Sequence, residues 1–248
     1  GVDRDHMDSL GPVDLEAERE RIYEYVERHG RVGRDELQAA MEYESRRLGH
    51  HLSMLVRDGY LEQHDGAFEI ALDTGGEEEY DLGEVTATIR PARQADIGGI
   101  VGTIRQVVEA GTYIEAESVA QQLDYEGSLL RHNEFESRVF FVADVEDEVV
   151  GWIHLDVPEL DKLHHTAEVT IGLVEEYRGN GIGRLLVERA LDWAREEGLT
   201  KLYNNFPATN TAAIEFFEAC GADVEAVREG HYRIDGEPVD EVMMELPL

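Results

Sequence analysis

The chain has 248 residues and a net charge of −33, from 55 acidic and 22 basic side chains, and its single cysteine is Cys220. Hydrophobic residues make up 42% of it, so we expect a folded protein, and the length allows two small domains or one large one. One cysteine excludes an intramolecular disulfide and a cysteine-based zinc site, and no apolar run approaches the 18 residues of a membrane span. We therefore expect a soluble cytoplasmic protein with no metal and no membrane partner.

The basic residues are almost all arginine, since only Lys162 and Lys201 are lysines. An acidic, lysine-poor composition resembles that of proteins from halophiles that keep molar salt in the cytoplasm. Molar salt shortens the Debye length to about 3 Å, which makes the repulsion tolerable, whereas at low salt the same charge opposes compaction. An ordinary acidic cytoplasmic protein is the alternative.

The first segment, residues 14–72, carries three helical patterns followed by two short strands. The third pattern, residues 45–57, places Leu48, Leu52, Leu55 and Val56 on one face. An Asp65-Gly66 turn between two short β-like runs predicts a hairpin. This order of elements resembles a winged helix-turn-helix domain, in which the third helix enters the DNA major groove.

Basic side chains are concentrated on that third helix, which makes it a candidate for contact with double-stranded DNA. The residues concerned are Arg46, Arg47, His50 and Arg57. However, residues 14–72 hold 14 acidic residues and eight arginines, a net charge of −6, and salt weakens DNA binding steeply. The alternative is that this domain docks another protein or forms a homodimer.

Residues 73–83 are rich in glycine and acidic residues and predict a flexible, solvated linker. Residues 84–248 follow as a second domain in which strand and helix patterns alternate, which predicts an α/β domain with a mixed sheet. Strands are predicted at 85–90, 139–144, 149–155, 166–174, 201–206, 224–234 and 238–246, and helices at 97–110, 119–132, 181–197 and 211–220.

A glycine-rich turn, Arg178-Gly179-Asn180-Gly181-Ile182-Gly183, separates the strand at 166–174 from the following helix. Backbone N–H groups of such a turn and the positive end of the helix dipole point at the same spot, which predicts an anion site. The turn lacks the Lys-Ser/Thr of a P-loop, and its glycine spacing does not fit the dinucleotide-binding fingerprint.

Arg-x-x-Gly-x-Gly after a strand resembles the acyl-CoA pyrophosphate loop of the GNAT-type N-acetyltransferases. Two later segments share the resemblance: residues 210–221 resemble the family's Asn-x-x-Ala-Ile-x-x-Tyr-x-x-x-Gly helix, and residues 235–244 resemble its C-terminal hairpin. The resemblance covers roughly residues 84–246. It implies the mixed α/β acyl-CoA N-acyltransferase fold, acetyl-CoA as co-substrate and an amine as acceptor.

The resemblance also implies where the co-substrate binds. Backbone groups at the end of the strand would contact the pantetheine, the glycine turn would hold the pyrophosphate, and the later helix would contribute further contacts. The residues concerned are Leu173, Val174, Arg178, Gly179, Asn180, Gly181, Ile182, Gly183, Arg184, Asn210 and Phe217.

Acetyl transfer needs a base, because an ammonium group has no lone pair with which to attack. Glu168 lies ten residues before Arg178 and matches the family's common glutamate position, so we expect it to be the catalytic base, directly or through water. The alternative is a glutamate on the solvent face of a strand in a very acidic protein. Nearby acidic residues, Asp156, Glu159 and Asp161, favour a cationic acceptor.

The acid that protonates the leaving CoA is not evident in the sequence. The family often places a tyrosine at the position of Phe217, and a phenyl ring has no proton to donate. Water, Tyr203 or an unassisted departure are the alternatives.

Three functions remain open. The first is an N-acetyltransferase that its winged domain directs to DNA or to DNA-bound proteins. The second is a transcription regulator whose acetyltransferase-like domain only senses acyl-CoA. The third is a small-molecule amine acetyltransferase in which the first domain serves oligomerisation.

Overall fold

The apolar residues of the N-terminal segment assemble three helices and a small sheet. The computed structural model describes residues 15–72, 74–108, 113–133 and 136–248, and it divides the chain into two compact units between Leu72 and Asp73. Residue 14 of the first predicted domain and residue 73 of the predicted linker lie outside the described residues. The elements of the first unit are α1 (Leu15–His29), β1 (Val32–Gly33), α2 (Arg34–Met41), α3 (Ser45–Arg57), β2 (Leu61–His64) and β3 (Ala67–Ile70).

In this unit β3 is the central strand of an antiparallel sheet of order β1-β3-β2, with the turn at Asp65 and Gly66 joining β2 to β3. Ile22, Leu37 and Leu48 are fully buried and link the three helices through one core. One predicted core residue is wrong: Val56 is 38% exposed. It follows Leu55, which takes the last inward position before the helix ends.

The second unit alternates strands and helices around one large sheet. Its described elements are β4 (Glu78–Asp81), β5 (Thr86–Pro91), α4 (Ile97–Val108), α5 (Ile114–Glu126), β6 (Arg131–His132), β7 (Glu136–Val145), β8 (Glu148–Pro158), β9 (Thr166–Leu173), α6 (Ile182–Glu196), β10 (Lys201–Pro207), α7 (Thr211–Ala219), β11 (Asp223–Ile234) and β12 (Glu237–Pro247).

The strand order is β11-β12-β10-β9-β8-β7-β5-β4, and β6 pairs with β7. All of these pairs are antiparallel except β9 with β10, so the sheet is mixed, as predicted. Residues 109–110, the predicted end of the α4 helix, lie outside the described residues. Within the described ranges, no helix has both the length and the apolar character that a membrane crossing requires.

The second half of the predicted linker is a strand, which corrects that prediction. Residues 78–81 pair with β5 at the edge of the sheet. The Arg189 guanidinium on α6 donates hydrogen bonds to the carbonyls of Thr74 and Gly76 and to the Glu78 carboxylate, at 2.9, 2.5 and 2.9 Å. Composition alone could not reveal this anchor, because it comes from a helix more than a hundred residues away.

Helix α5 is also displaced from its prediction, since it spans Ile114–Glu126 rather than 119–132. Gly127 ends the helix with a left-handed backbone (φ 66°). Glycine is favoured in that conformation after a helix, so this residue was the stop signal that the periodicity argument passed over.

Candidate active site

Strands β9 and β10 pair at only three positions, and the last of these joins Glu168 to Tyr203. Beyond that pair β9 continues alongside β8 as far as Leu173, and β10 continues alongside β12. The parallel strands therefore form a fork, and a gap opens within the sheet where their mutual hydrogen bonds stop.

A cavity of about 570 Å³ lies at this fork and reaches the glycine turn at the start of α6. Its wall is built from the end of α4, the residue before α5, the end of β9, the glycine turn with the start of α6, β10, and α7. The lining residues are Val107, Tyr113, Ile171, Gly172, Leu173, Arg178, Gly179, Gly181, Ile182, Gly183, Arg184, Phe206, Asn210, Ala212, Ala213, Phe216 and Phe217.

The glycine turn presents open backbone to the cavity. Gly179 and Gly181 both have a φ of 85°, a left-handed conformation that favours glycine. A Cβ built on either residue would have no protein atom within 4 Å, so the absent side chains leave room for a ligand. Gly183 differs, because its Cβ would lie 3.4 Å from the Phe216 ring. It also serves the packing of α6 against α7.

The start of α6 is suited to an anion. The first turn of a helix has N–H groups without intrahelical acceptors, and this turn contains no acidic residue. Arg178 and Arg184 flank it, and within the described ranges neither forms an ion pair with a carboxylate. The Arg178 Nε donates to the Leu173 carbonyl at 2.9 Å, which orients its guanidinium beside the turn.

The structure brings nine of the eleven predicted co-substrate residues together in the cavity wall, and Val174 and Asn180 are not among them. Val174 is buried, and its N–H donates to the Val150 carbonyl at 2.9 Å. Because β8 uses that donor, the Val174 N–H is not free in this structure, and the predicted backbone contact from Val174 stays a prediction. Asn180 is exposed and lies outside the cavity wall.

Asn210 and Phe217 occupy the α7 side of the cavity. Asn210 caps α7, and its Oδ1 accepts a hydrogen bond from the Ala213 N–H at 3.3 Å. Phe217 is buried and packs against Phe206, with 5.1 Å between their ring centroids. Both residues thus have a structural role that does not prevent contact with a ligand.

Glu168 lies at the base of the fork and not in the cavity wall. It is half-buried, and burial raises the pKa of its carboxyl group. Its cross-strand neighbours are Asp156 on β8 and Tyr203 on β10. A carboxyl group with a raised pKa is a better proton acceptor near neutral pH than an ordinary surface glutamate.

Two further carboxyl groups surround Glu168. Burial, with the charges of Glu168 and Glu241, raises the pKa of Glu115 to about 7. Burial, with the charge and a hydrogen bond of Glu136, raises the pKa of Asp156, which the Arg138 guanidinium partly opposes. The sequence identified Asp156 only as an acidic residue near Glu168, and it did not reveal Glu115, because the fold brings the first turn of α5 close to β9.

Tyr203 does not line the cavity, which argues against it as the acid that protonates the leaving CoA. Tyr113 was missed altogether, although it lines the cavity at the fork. No motif marks it, since it stands alone before α5. Only the three-dimensional arrangement identifies it.

On α3, the four candidate DNA contacts separate into two groups. Arg46, His50 and Arg57 are exposed. Arg47 instead pairs with Glu18 at 3.2 Å and lies over the Tyr43 ring, with 5.2 Å to the centroid. The Arg47 side chain therefore helps to hold α3 against α1, and its contact with DNA stays a prediction.

Comparison with known proteins gives a consistent result for the second unit. The family model described as Acetyltransferase (GNAT) family matches residues 106–222. The chain is 34% identical over 101 residues to a spermidine N(1)-acetyltransferase of Vibrio cholerae, covering 40% of this chain and 54% of that protein. It is 33% identical over 121 residues to an N-alpha-acetyltransferase of Sulfurisphaera tokodaii, covering 44% of this chain and 69% of that protein.

The matched part therefore spans between about half and two thirds of the length of these two relatives. Among solved structures, a GCN5-related N-acetyltransferase from Kribbella flavida aligns over 65% of this chain and 98% of that chain, with a TM-score of 0.54 and 26% identity. A GNAT-family acetyltransferase from Streptococcus pneumoniae aligns over 65% of this chain and 99% of its own, with a TM-score of 0.54 and 21% identity, which supports the fold.

Proposed function

The chain belongs to the GNAT acetyltransferase family, and on that premise we propose that it transfers the acetyl group of acetyl-CoA to a cationic primary amine. Acetyl-CoA supplies an activated acyl group, and the residues of this chain bind it, orient the amine and move protons. The observation that carries the proposal is the joining of the glycine turn to the strand fork in one cavity.

The cavity fits an acyl-CoA at both ends. At one end Gly179 and Gly181 leave backbone exposed in space that a Cβ would fill, beside two arginines without carboxylate partners in the described ranges. Such a site supplies positive potential to a phosphate group within a strongly negative protein. At the other end Ile171, Phe206 and Phe217 form an apolar wall suited to a pantetheine chain.

Glu168 is the proposed base. An amine bound at the fork must lose a proton before it can attack, and Glu168 accepts that proton directly or through water. Burial raises the pKa of the Glu168 carboxyl group toward neutral pH, which makes it a stronger base for this step.

The carboxyl groups around Glu168 favour a positively charged acceptor. Asp156 stands directly across from Glu168 in the sheet, and the charge of Glu168 contributes to the raised pKa of Glu115. A second cationic group on the acceptor would relieve this repulsion. A polyamine, a lysine side chain in a basic peptide and an N-terminal amine beside a basic residue all meet that requirement.

The test compares matched acceptors by their acetyl-CoA-dependent release of CoA thiol, in molar KCl. The pair 1,4-diaminobutane and 4-aminobutan-1-ol differ only in replacement of one amine by a hydroxyl group. We expect kcat/KM to be at least about tenfold higher for the diamine, a difference of about 1.4 kcal/mol. In the Asp156→Asn variant, the ratio of the two kcat/KM values should be smaller. Equal kcat/KM values for both acceptors in the wild type would refute the proposal that the acceptor is cationic.

For the N-terminal unit we propose a winged helix-turn-helix domain that contacts DNA through α3. Three helices, a small antiparallel sheet and the exposed side chains of Arg46, His50 and Arg57 support this proposal. Because residues 14–72 carry a net charge of −6, we expect their affinity for DNA to be modest and to fall steeply as the salt concentration rises.

Duplex binding by fluorescence anisotropy tests the DNA role. The double variant Arg46→Ala/Arg57→Ala should weaken binding at least about tenfold, whereas Arg28→Ala, an exposed arginine on α1, should change it little. Absence of duplex binding by the folded wild type would refute the role. A changed oligomeric state in the double variant would instead identify α3 as a protein interface.

A further inference from the structure

A buried tyrosine hydroxyl lies between the two strands of the fork. Tyr113 directly precedes α5, is 4% exposed, and packs its ring against Phe206 with 5.4 Å between ring centroids. Its oxygen accepts a hydrogen bond from the Ile171 N–H at 3.0 Å and another from the Asn204 Nδ2 at 3.1 Å. The hydroxyl thus bridges β9 and β10 where these strands no longer bond to each other.

The position of this hydroxyl is fixed from both sides. Asn204 is 1% exposed, and its Oδ1 accepts the Asn205 N–H at 2.6 Å, which turns its Nδ2 toward Tyr113. The Ile171 N–H belongs to β9, whose other edge is held by β8. Both donors are therefore held in place, one by a hydrogen bond to its neighbour in β10 and the other by strand pairing.

The two accepted bonds occupy both lone pairs of the phenol oxygen, which leaves its own O–H as the remaining bonding group. Among the residues that the structure describes, no acceptor takes this hydrogen. Buried polar groups are nearly always hydrogen-bonded, and Tyr113 lines the cavity. The hydrogen is therefore available to a molecule bound at the fork.

The reaction requires a proton at this point. When the bond between the acetyl carbon and sulfur breaks, the electron pair stays on sulfur as a thiolate. Phe217 carries no hydroxyl, and Tyr203 lies outside the cavity wall. Tyr113 is the tyrosine that combines a cavity position with a free O–H among the described residues.

We propose that Tyr113 donates its proton to the sulfur of the departing CoA, an inference that rests on the proposed function. As the carbon–sulfur bond breaks and the carbon–nitrogen bond forms, the O–H proton moves to sulfur, and the N–H groups of Ile171 and Asn204 stabilise the phenolate. Water then returns a proton to the phenolate. An ammonium loses two protons on becoming an amide and the thiol gains one, so one proton is released overall.

The environment keeps the hydroxyl in its donor form. Burial raises the pKa of Tyr113, while the hydrogen bonds from Ile171 and Asn204 lower it. Charges on Glu115 and Glu168 also raise it, and the net effect is a raised pKa, so the hydroxyl stays protonated before the reaction and gives up its proton only to a thiolate that is buried in the same site. The same two N–H bonds act most strongly once the oxygen is negative.

The test measures contact with sulfur by binding as well as by turnover. Calorimetry compares CoA with desulfo-CoA, which lacks the sulfur atom, near pH 9, where the thiol ionises. A hydrogen bond to a charged group predicts that wild type prefers CoA by roughly tenfold or more. In Tyr113→Phe this ratio should approach one, and in the control Tyr125→Phe, whose side chain is 92% exposed, it should remain as in the wild type.

Turnover supplies the second readout: Tyr113→Phe should lower kcat by about 10²-fold with little change in the KM for acetyl-CoA. A wild-type ratio near one would overturn the proposal, even if the variant failed to fold. So would a Tyr113→Phe variant that kept the wild-type ratio or the wild-type kcat. Failure of the wild type to bind either ligand would instead refute the proposed function, which separates the two claims.

Discussion

At the scale of single residues, the carboxyl groups clustered around Glu168 lower the stability of the fold. Asp156 and Glu168 stand directly opposite each other on β8 and β9, and like charges in such a pair destabilise a sheet. Glu115 adds a third carboxyl group from α5, whose pKa Glu168 helps to raise. Arg138 lies opposite Asp156 on the other side, but within the described residues Glu168 forms no ion pair. We interpret this cost as a requirement of proton transfer and of a cationic acceptor.

The first prediction concerns the base itself. Glu168→Gln keeps the shape of the side chain but removes its ability to accept a proton, so kcat should fall by roughly 10²–10⁴-fold. Affinity for acetyl-CoA, measured by calorimetry, should stay within about twofold, because Glu168 is outside the cavity wall. The exposed Glu197→Gln variant serves as control, and wild-type turnover by Glu168→Gln across pH would show that Glu168 is not the base.

The second prediction concerns stability and follows from the pKa of Glu115, raised from about 4.5 to about 7 in the folded state. Between these values the folded state holds more protons than the unfolded state, so the free energy of unfolding falls as pH rises. This contribution is fully present below about pH 4.5 and lost above about pH 7. Glu115→Gln should therefore gain stability relative to the wild type from pH 5 to pH 8.

The gain at pH 8 has an upper limit of about 3 kcal/mol, since one pKa unit is worth about 1.4 kcal/mol. Chemical denaturation in molar KCl measures it. Glu117→Gln, at the other acidic position in the first turn of α5, controls for loss of a charge at the helix N-terminus. A difference between Glu115→Gln and wild type that is the same at pH 5 and pH 8 would contradict the role of repulsion.

How far the site could be predicted differs from residue to residue. The glycine turn could be predicted because strand, turn and helix adjoin in the chain, and Glu168 was proposed from its resemblance to the family's glutamate position. Glu115 and Tyr113 were not, because a helix from an earlier part of the chain brings them to the fork. The hydrogen bond from the Val174 N–H to the Val150 carbonyl on β8 could not be predicted either, because local sequence does not specify which distant strands pair.

At the scale of elements, the start of α6 is the feature on which co-substrate binding depends. Gly181 is the N-cap of α6, with a φ of 85°, and Gly198 follows the other end of the helix with a φ of 79°. At both residues a Cβ would meet no protein atom within 4 Å. The two glycines therefore have similar backbone conformations, but of the two only Gly181 lines the cavity.

The third prediction compares the same substitution at these two glycines. Gly181→Val should reduce acetyl-CoA affinity at least tenfold in calorimetry, because the side chain fills the space in which the phosphate approaches the backbone. Gly198→Val should suffer a comparable strain at its left-handed backbone and a comparable loss of stability, with affinity unchanged. Equal affinities in both folded variants would mean that the turn does not hold the co-substrate.

The strand β4 shows what the sequence could not predict about the fold of the second unit. Most strand positions of the second unit follow from β-branched runs and turn residues, and they were predicted within a few residues, whereas the strand order is known only from the structure. The segment at 78–81 was taken for linker because its acidic residues are poor strand formers. Pairing with β5 and the hydrogen bonds from Arg189 outweigh that propensity.

At the scale of the whole molecule, the net charge of −33 determines at which salt concentrations the chain is stably folded. Self-repulsion destabilises a compact state of such charge, and salt screens it. In each of the two compact units, this repulsion opposes the stability that the hydrophobic core provides. Activity and binding measured at low salt would then report partly on unfolding.

The fourth prediction is that stability rises with ionic strength. Between 0.1 and 2 M KCl the thermal midpoint should increase by at least about 4 °C, equivalent to more than 1 kcal/mol for a chain of this size. Circular dichroism measures it, and most of the change should occur below about 0.5 M if screening is the cause. A midpoint independent of salt would favour an ordinary acidic protein over a halophile-like one.

Release of CoA thiol from acetyl-CoA by the full chain in molar KCl, with and without 1,4-diaminobutane, is the most direct test of the central claim. We predict release that depends on the amine, saturates with both substrates and yields the acetylated diamine by mass spectrometry. Saturable acetyl-CoA binding without acceptor-dependent release for the diamine, basic lysine peptides or N-terminal peptides would contradict the claim. That result would identify the second unit as a sensor of acyl-CoA and not an enzyme.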